Sequence, residues 1–405
     1  SGGSSIGVFS VENINDAINS IEHLFSKRMD TRVVVESFAK GKEFTLIILQ
    51  NRFNMPIALI PSEIEVEYSK NRFFDFRKKY LPTRQVAYHC PPSFSNEIIE
   101  KIQIEAEQLF SVFGMRDFAR FDGFLLPDGN IWFSDFNPIP GMEQNSFLFQ
   151  QSSRVGFSHQ DLFRFLVNNA CLRREIPVLV ENVFFDEKFI RRGERKPVAV
   201  LFGGETAEKQ VSLMSGTNVW FKLRGSKIYK PCPYLLGKNR EVWDLPYSYI
   251  LNHTVEEIIQ NAKNAPKDIK RLLFLIEKVK IKLFLRNSDI TEDFFMPQKY
   301  HLNQILKKYP FIFLALHGGI GEDGTLQKIL EKNKVKYNGS GSIASKLCMD
   351  KWETNELIER SNILGVSVAK HILLLAKDIK EISLDDQFAD LYWKMLLNKL
   401  QTKTV

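Results

Sequence analysis

No stretch of about 18 uncharged apolar residues occurs in the 405-residue chain, so no membrane span is expected. Cysteine is scarce. Cys90, Cys171, Cys232 and Cys348 stand far apart, with no CxxC or Cys/His spacing, which excludes a disulfide frame and a cysteine-based zinc site. They read as free thiols in a reducing compartment, which implies a cytoplasmic protein. An excess of one charge is also missing. Lys and Arg number 55 against 48 Asp and Glu, a formal charge of +7 without a dense basic tract. A nucleic acid is therefore not expected as partner, whereas a small phosphate ligand would suit. There is no internal repeat and no low-complexity segment. Ser1-Gly-Gly-Ser-Ser lacks the basic and apolar regions of a signal peptide. What is present is ordinary for a folded protein: 44% hydrophobic and 25% charged residues. The length predicts two or three domains at about 150 residues each.

Short β-branched runs predict strands at Val33-Val-Val-Glu-Ser, Phe44-Thr-Leu-Ile-Ile-Leu and Pro56-Ile-Ala-Leu-Ile. Apolar spacing from Ser95 to Phe113, closed by Gly114, predicts a capped helix. Phe118 to Leu126 alternates as a strand. Pro127-Asp-Gly-Asn predicts a hairpin turn, and Ile131 to Asn137 the returning strand. Ser158 to Cys171 reads as helix. Residues 173–195 read as a linker, most clearly around Arg191-Arg-Gly-Glu-Arg. Then Val198-Ala-Val-Leu-Phe, Gly203-Gly204 and a helix from about Glu208 open a parallel α/β domain. Residues 252–308 read as mostly helical, Phe311 to His317 as a buried strand, and 325–332 and 343–361 as helices.

Chemistry concentrates in a few places. The Gly/Ser-rich start, including Ser4 and Ser5, is of the kind that lets backbone N–H groups approach phosphate; a flexible terminus is the plain alternative. On the hairpin, Arg120 and Asp122 share one side of their strand, and Asp135 and Asn137 share one side of theirs. Two carboxylates, an amide and a guanidinium then meet on one sheet face. Such oxygen ligands suit Mg²⁺ on nucleotide phosphates, and the arginine suits an oxyanion; a solvated, salt-bridged face is the alternative. Pro138-Ile-Pro-Gly141 follows as a rigid turn. Lys79 beside Tyr80 is either a phosphate-directed pair or a surface pair. Glu36 and Glu43, at strand ends, could take a ribose or adenine edge. Glu208 opens a helix after a glycine turn. Glycine-dense loops at His317-Gly-Gly-Ile-Gly and Tyr337-Asn-Gly-Ser-Gly belong to the ligand edge of an open sheet.

Together these runs resemble the D-alanine–D-alanine ligases of the ATP-grasp superfamily. The resemblance rests on Gly3-Ser-Ser-Ile-Gly, Gly41-Lys-Glu-Phe-Thr, Phe74-Asp-Phe-Arg-Lys-Lys-Tyr, Phe118-Ala-Arg-Phe-Asp and Phe136-Asn-Pro-Ile-Pro-Gly-Met. It extends through Leu201-Phe-Gly-Gly-Glu-Thr-Ala-Glu, Ala315-Leu-His-Gly-Gly-Ile-Gly-Glu-Asp-Gly and Met349-Asp-Lys. The order is reversed: residues 1–172 resemble the family's second half, and 196–405 its first. Two explanations fit, a window from a tandem of two ligase-like modules and a circular permutant; the start inside a motif favours the window. The implied fold is α/β: an ATP-grasp C-terminal half, a linker, an open parallel-sheet (Rossmann-like) domain at 196–348, and the start of a second ATP-grasp subdomain at 349–405.

The resemblance also implies a function: ATP-dependent joining of two D-alanines through an acyl phosphate, in peptidoglycan synthesis. Asp122, Asp135 and Asn137 would hold two Mg²⁺ or Mn²⁺ ions. Arg120 and the Gly141 N–H would stabilise the oxyanion. Ser4, Tyr80 and Glu208 would hold the first substrate, and Ser146 and Phe147 the second. Lys79, Lys351 and Ser5 would meet ATP phosphates, and Glu36 and Glu43 the adenosine. Homodimers through residues 196–348 are implied as well. The sequence departs from the family at Asp135, where Glu is usual, at Ser37 for a frequent Lys, and at Pro138 for Thr or Ser. The strand whose Lys normally binds phosphate is absent. The rival readings are a ligase for another carboxylate and amine, and a non-catalytic nucleotide-binding remnant. Because the reversed order divides the site, the isolated chain is expected to be weakly active or inactive unless its two halves dock.

Overall fold

Residues 44–49 form a near-continuous apolar run, the pattern of a strand covered on both faces. In the computed structural model that run is the centre of β1 (Lys42–Gln50), and Phe44 to Leu49 are almost wholly buried. The structure describes residues 7–66, 86–177, 195–286, 289–292, 294–376 and 386–401. It divides into one unit from Ser1 to Leu316 and another from His317 to Val405.

In the first unit, α1 (Ile14–Ser26) precedes β1. Strands β2 (Pro56–Ala58), β3 (Ser62–Val66), β4 (Val86–His89), β5 (Phe118–Leu125) and β6 (Ile131–Asn137) complete a sheet ordered β4-β3-β1-β5-β6, with β2 also on β1. All its pairings are antiparallel. Along one edge of β1, β3 pairs residues 43–45 and β2 pairs residues 48–50. The Gln151 side chain bridges the break: it accepts from the Ile47 N–H (2.8 Å) and donates to the Thr45 carbonyl (3.0 Å). Between β4 and β5, α2 (Asn96–Val112) is capped by Ser95 and lays Ile99, Ile102, Ala106 and Phe110 into the core, the stripe expected of an amphipathic helix. After β6 come α3 (Phe147–Arg154) and α4 (His159–Arg173), the latter opened by a Ser158/Asp161 capping box.

A second sheet is built from β7 (Lys196–Gly203), α5 (Lys209–Arg224), β8 (Tyr229–Leu236), β9 (Glu241–Asp244), α6 (Tyr247–Ile250), α7 (Val255–Leu283), β10 (Gln298–His301), α8 (Leu302–Lys308) and β11 (Phe311–Leu314). Within this unit its order is β10-β9-β8-β7-β11. β7 runs parallel to β8 and β11, while β8, β9 and β10 are antiparallel. The parallel part is the strand–glycine-turn–helix region expected from the sequence. Gly203 and Gly204 both take positive φ (+94° and +98°), a backbone open to glycine at little cost. Ser212, on α5, ties this turn down: it accepts from the Gly203 N–H and donates to the Ala315 carbonyl, each at 2.8 Å.

The long helix α7 joins the two sequence halves. Its buried face runs from Ile258 through Leu275 to Leu283 and shares one hydrophobic core with β1 and α2. Polar contacts fix the docking. Arg271 donates to Asn96 Oδ1 (2.8 Å), to the Pro92 carbonyl (3.0 Å) and to the Phe94 carbonyl. Lys278 pairs with Glu100 at 2.6 Å. Thr291 donates to Asp161, and Arg224 pairs with Glu292. The described residues of 1–172 and 196–316 thus belong to one unit.

In the second unit, α9 (Thr325–Lys332), β12 (Lys336–Tyr337), α10 (Ser342–Met349), α11 (Lys351–Ser361) and α12 (Asp386–Leu400) follow in order. Glu331 accepts from Tyr337 Oη (2.7 Å), the Ser342 N–H (2.9 Å) and Ser342 Oγ (2.6 Å), which closes the loop after β12.

Three sequence expectations need correction. The run at 33–37 forms no strand; Val34 and Val35 are 84% and 76% exposed, and no strand among the described residues offers them a ladder. The strand at 56–60 shortens to β2. The helix at 343–361 is two helices, broken where Asp350 turns extended and accepts from the Trp352 and Glu353 N–H groups.

Candidate functional site

β5 and β6 pair Arg120 with Asn137 and Asp122 with Asp135. Directly opposite residues of an antiparallel pair share a face, so the four side chains lie together as the sequence predicts. The register slips by one residue after Asp122, because Gly123 pairs with Phe133 and leaves Ser134 as the extra residue of a bulge. The bulge explains an otherwise odd spacing. Phe133 and Phe136, three apart, both pack on Phe121 (ring centroids 6.1 and 4.8 Å), while Asp135 and Asn137 stay on the opposite face.

On that face the interactions are specific. Arg120 Nε donates to Asp122 Oδ1 (3.1 Å) and Nη2 to Oδ2 (2.9 Å), a bidentate pair. Thr45 Oγ1, from β1, donates to the same carboxylate at 2.7 Å, and Asn137 Nδ2 approaches it at 3.4 Å. Asp135 is exposed. Glu43 lies two residues before Thr45, hence on the same face. Burial raises the Tyr88 hydroxyl well above the usual range. The charges of Glu257 and Glu43 add to this, and Arg120 opposes it.

The turn after β6 leads to Gly141 and then to Ser146, which stands at the cap of α3. Serine there normally accepts a backbone N–H, yet this hydroxyl caps nothing. It is 6% exposed and has no hydrogen-bond partner among the described residues. Phe147 packs edge-on against Tyr88 (5.1 Å). The Glu143 carboxylate lies against Gly141, where an added Cβ would come within 2.6 Å of Oε2.

The other expected residues are placed separately. Glu208 is exposed at the N-cap of α5, and its carboxylate makes no capping bond. Glu36 is exposed in irregular chain, and no strand ends there. Lys351 opens α11 in the second unit. Ser4, Ser5, Lys79 and Tyr80 lie outside the described residues.

Sequence reasoning passed over a buried polar cavity between α3 and α7. Arg154, Asn252, Glu257, Gln150 and Asn261 are among the residues that line it. Arg154 stacks on Tyr249 at 4.7 Å. Arg154 Nη1, Asn252 Nδ2 and Glu257 Oε1 have no partner among the described residues. Burial pushes Glu257 up to about 8, although the His253 and Thr254 N–H groups and the Arg154 charge pull it down. Nearby, burial pushes His253 and His159 down to about 4. The sequence carries little signal for it: no helix is expected around Arg154, and Glu257 is one charged residue of a mostly helical stretch.

Residues 1–168 match the family model described as D-ala D-ala ligase C-terminus, and residues 197–340 match D-ala D-ala ligase N-terminus. The C-terminal part therefore precedes the N-terminal part. The chain is 35% identical over 185 residues to a D-alanine–D-alanine ligase of Pediococcus pentosaceus, covering 45% of this chain and 47% of that protein. It is 28% identical over 173 residues to one of Pseudarthrobacter chlorophenolicus, covering 42% and 45%. A solved D-alanine–D-alanine ligase from Bacillus anthracis is 25% identical, with a TM-score of 0.35 over 43% of this chain and 53% of that one. The chain spans about half the length of these curated relatives.

Proposed function

From the premise that this chain belongs to the D-alanine–D-alanine ligase family in both of its matched parts, we propose that it serves an ATP-dependent ligation of two D-alanines. The bidentate Arg120–Asp122 pair facing Asp135 and Asn137 is the observation that carries this reading. A carboxylate oxygen of the first D-alanine attacks the terminal phosphorus of ATP, and ADP leaves. The amine of the second D-alanine then attacks the acyl phosphate. The tetrahedral oxyanion collapses, expels phosphate and leaves the dipeptide. Arg120 and the Gly141 N–H offset the oxyanion charge. The unpartnered Ser146 hydroxyl and the start of α3 at Phe147 receive the second substrate's carboxylate. Glu208 holds the first substrate's ammonium group together with Ser4 and Tyr80. Glu36 and Glu43 serve the adenosine, and Lys79, Lys351 and Ser5 the phosphates.

Asp122, Asp135 and Asn137 offer an all-oxygen donor set of the kind that holds Mg²⁺ or Mn²⁺, which would neutralise phosphate charge there. The same reading takes 1–172 and 196–348 as the two family domains around a linker at 173–195. It takes 349–405 as the start of a further ATP-grasp region, 196–348 as the face on which two copies pair, and the cytoplasm as the setting.

Phosphate release from Mg-ATP, measured with D-alanine, with other amino acids and with none, tests the proposal. Release that depends on D-alanine is expected. Release driven better by another amino acid would replace the substrate, and ATP binding without release would reduce the chain to a nucleotide-binding remnant.

A further inference from the structure

Helix α11 and the segment after it bring two carboxylates and an imidazole together, far along the chain from the hairpin. Glu356 and Glu359 stand one turn apart on α11, on neighbouring positions of its surface. His371 reaches them from the following segment, and one ligand atom from each of the three lies within 4.8 Å of the others. We propose that Glu356, Glu359 and His371 bind a single divalent transition-metal ion, with Zn²⁺ the best match.

The imidazole is set up for this. Its Nδ1 lies 3.0 Å from the Ala369 carbonyl, which can only accept, so Nδ1 carries the proton. Nε2 is then the ring nitrogen left for an ion. Metal-bound histidines use this arrangement, with the second nitrogen donating to a carbonyl. Nε2 is 3.6 Å from Glu356 Oε1, longer than a hydrogen bond. Two ligands about 2.0–2.1 Å from a tetrahedral zinc stand roughly 3.4 Å apart, close to the observed gap.

The carboxylate is prepared as well. Arg360 Nη2 donates to Glu356 Oε2 at 2.8 Å, which leaves Oε1 for an ion. Trp352 packs edge-on against the His371 ring at 4.9 Å and restricts its rotation. Glu359 Oε1 stands 3.9 Å from Nδ1, the other ring nitrogen, and its side chain is 54% exposed, so it must swing towards Nε2 to complete the set. A nitrogen donor beside two carboxylates favours zinc-like ions over Mg²⁺ and Ca²⁺, which prefer all-oxygen sets. Three protein ligands leave a fourth position for water. This inference is independent of the ligase reading, since none of the three residues has a role in it.

Titration of the metal-free full chain with Co²⁺, followed by its visible absorption, tests the site. One Co²⁺ per chain is expected to give intense four-coordinate bands that Zn²⁺ abolishes, whereas an ion on the oxygen ligands of the hairpin absorbs only weakly. No thiolate charge-transfer band should appear, which separates the site from the exposed Cys348. His371→Ala and, separately, Glu356→Gln should each weaken binding about tenfold or more, with the far-ultraviolet circular dichroism unchanged. Asp122→Asn should leave the bands as they are. Absence of four-coordinate bands, a thiolate band, or equal binding by His371→Ala would overturn the proposal.

Discussion

Arg120→Ala should lower D-alanine-dependent phosphate release roughly 100- to 1000-fold, the usual loss when an oxyanion donor is removed. The fold should survive it. The Arg120 side chain is 25% exposed, and the ion pair it forms with Asp122 is of the partly solvated kind that adds about 1 kcal/mol or less. Asp122 keeps its bond from Thr45 at 2.7 Å. Rate and stability therefore separate: a large drop in turnover should accompany a small change in the urea midpoint. Arg120→Lys should recover little, because an ammonium cannot reproduce a planar, bidentate fork. A rate within about threefold of the parent in either variant would remove Arg120 from the chemistry.

The second large effect concerns pH. Glu257 titrates near 8 in the folded unit because it is buried, against an ordinary value of 4.5. Between these values the folded state keeps a proton that the unfolded state has released. Stability then falls as pH rises, by about 1.4 kcal/mol per unit. His253 and His159 act in the opposite sense and in another window. Each is held down to about 4 against an ordinary 6.5, so the unfolded chain binds the extra protons, and their contribution falls as pH drops below 6.5. At pH 6.5 the unfolded histidines are still half protonated, so they offset part of the Glu257 limb, which stands alone among these three only above about 7.5. The unit should therefore lose about 1 kcal/mol between pH 6.5 and 8. Glu257→Gln, which keeps the shape and removes the charge, should flatten this limb and raise the urea midpoint at pH 8. Equal slopes in parent and variant would show that Glu257 is not the group responsible.

The hairpin illustrates what a sequence carries and what it does not. Alternation placed Arg120 and Asp122 on one side, and Pro127-Asp-Gly-Asn marked the turn, since both are local properties. The bulge at Ser134 was hidden, because an extra residue changes the register without changing the composition. Val34 and Val35 have the β-branched character of a strand yet lack a partner strand among the described residues, which is a tertiary property. Asp350 could have been found, as an aspartate before a new amphipathic run is an N-cap signature. Arg154 and Glu257 could not, because their burial depends on α7 reaching back more than a hundred residues to α3. Ser146 was reached through the family resemblance; its buried, unpartnered hydroxyl is visible only in the folded chain.

Central to this account is an acyl phosphate formed on the first D-alanine. The direct measurement supplies D-alanine carrying a heavy oxygen isotope in its carboxylate and weighs the phosphate released from ATP. The account predicts one labelled oxygen in each phosphate released, because the carboxylate oxygen that attacked phosphorus departs with it. Unlabelled phosphate would mean that ATP is hydrolysed by water and would contradict the assignment of the Arg120–Asp122 face to ligation.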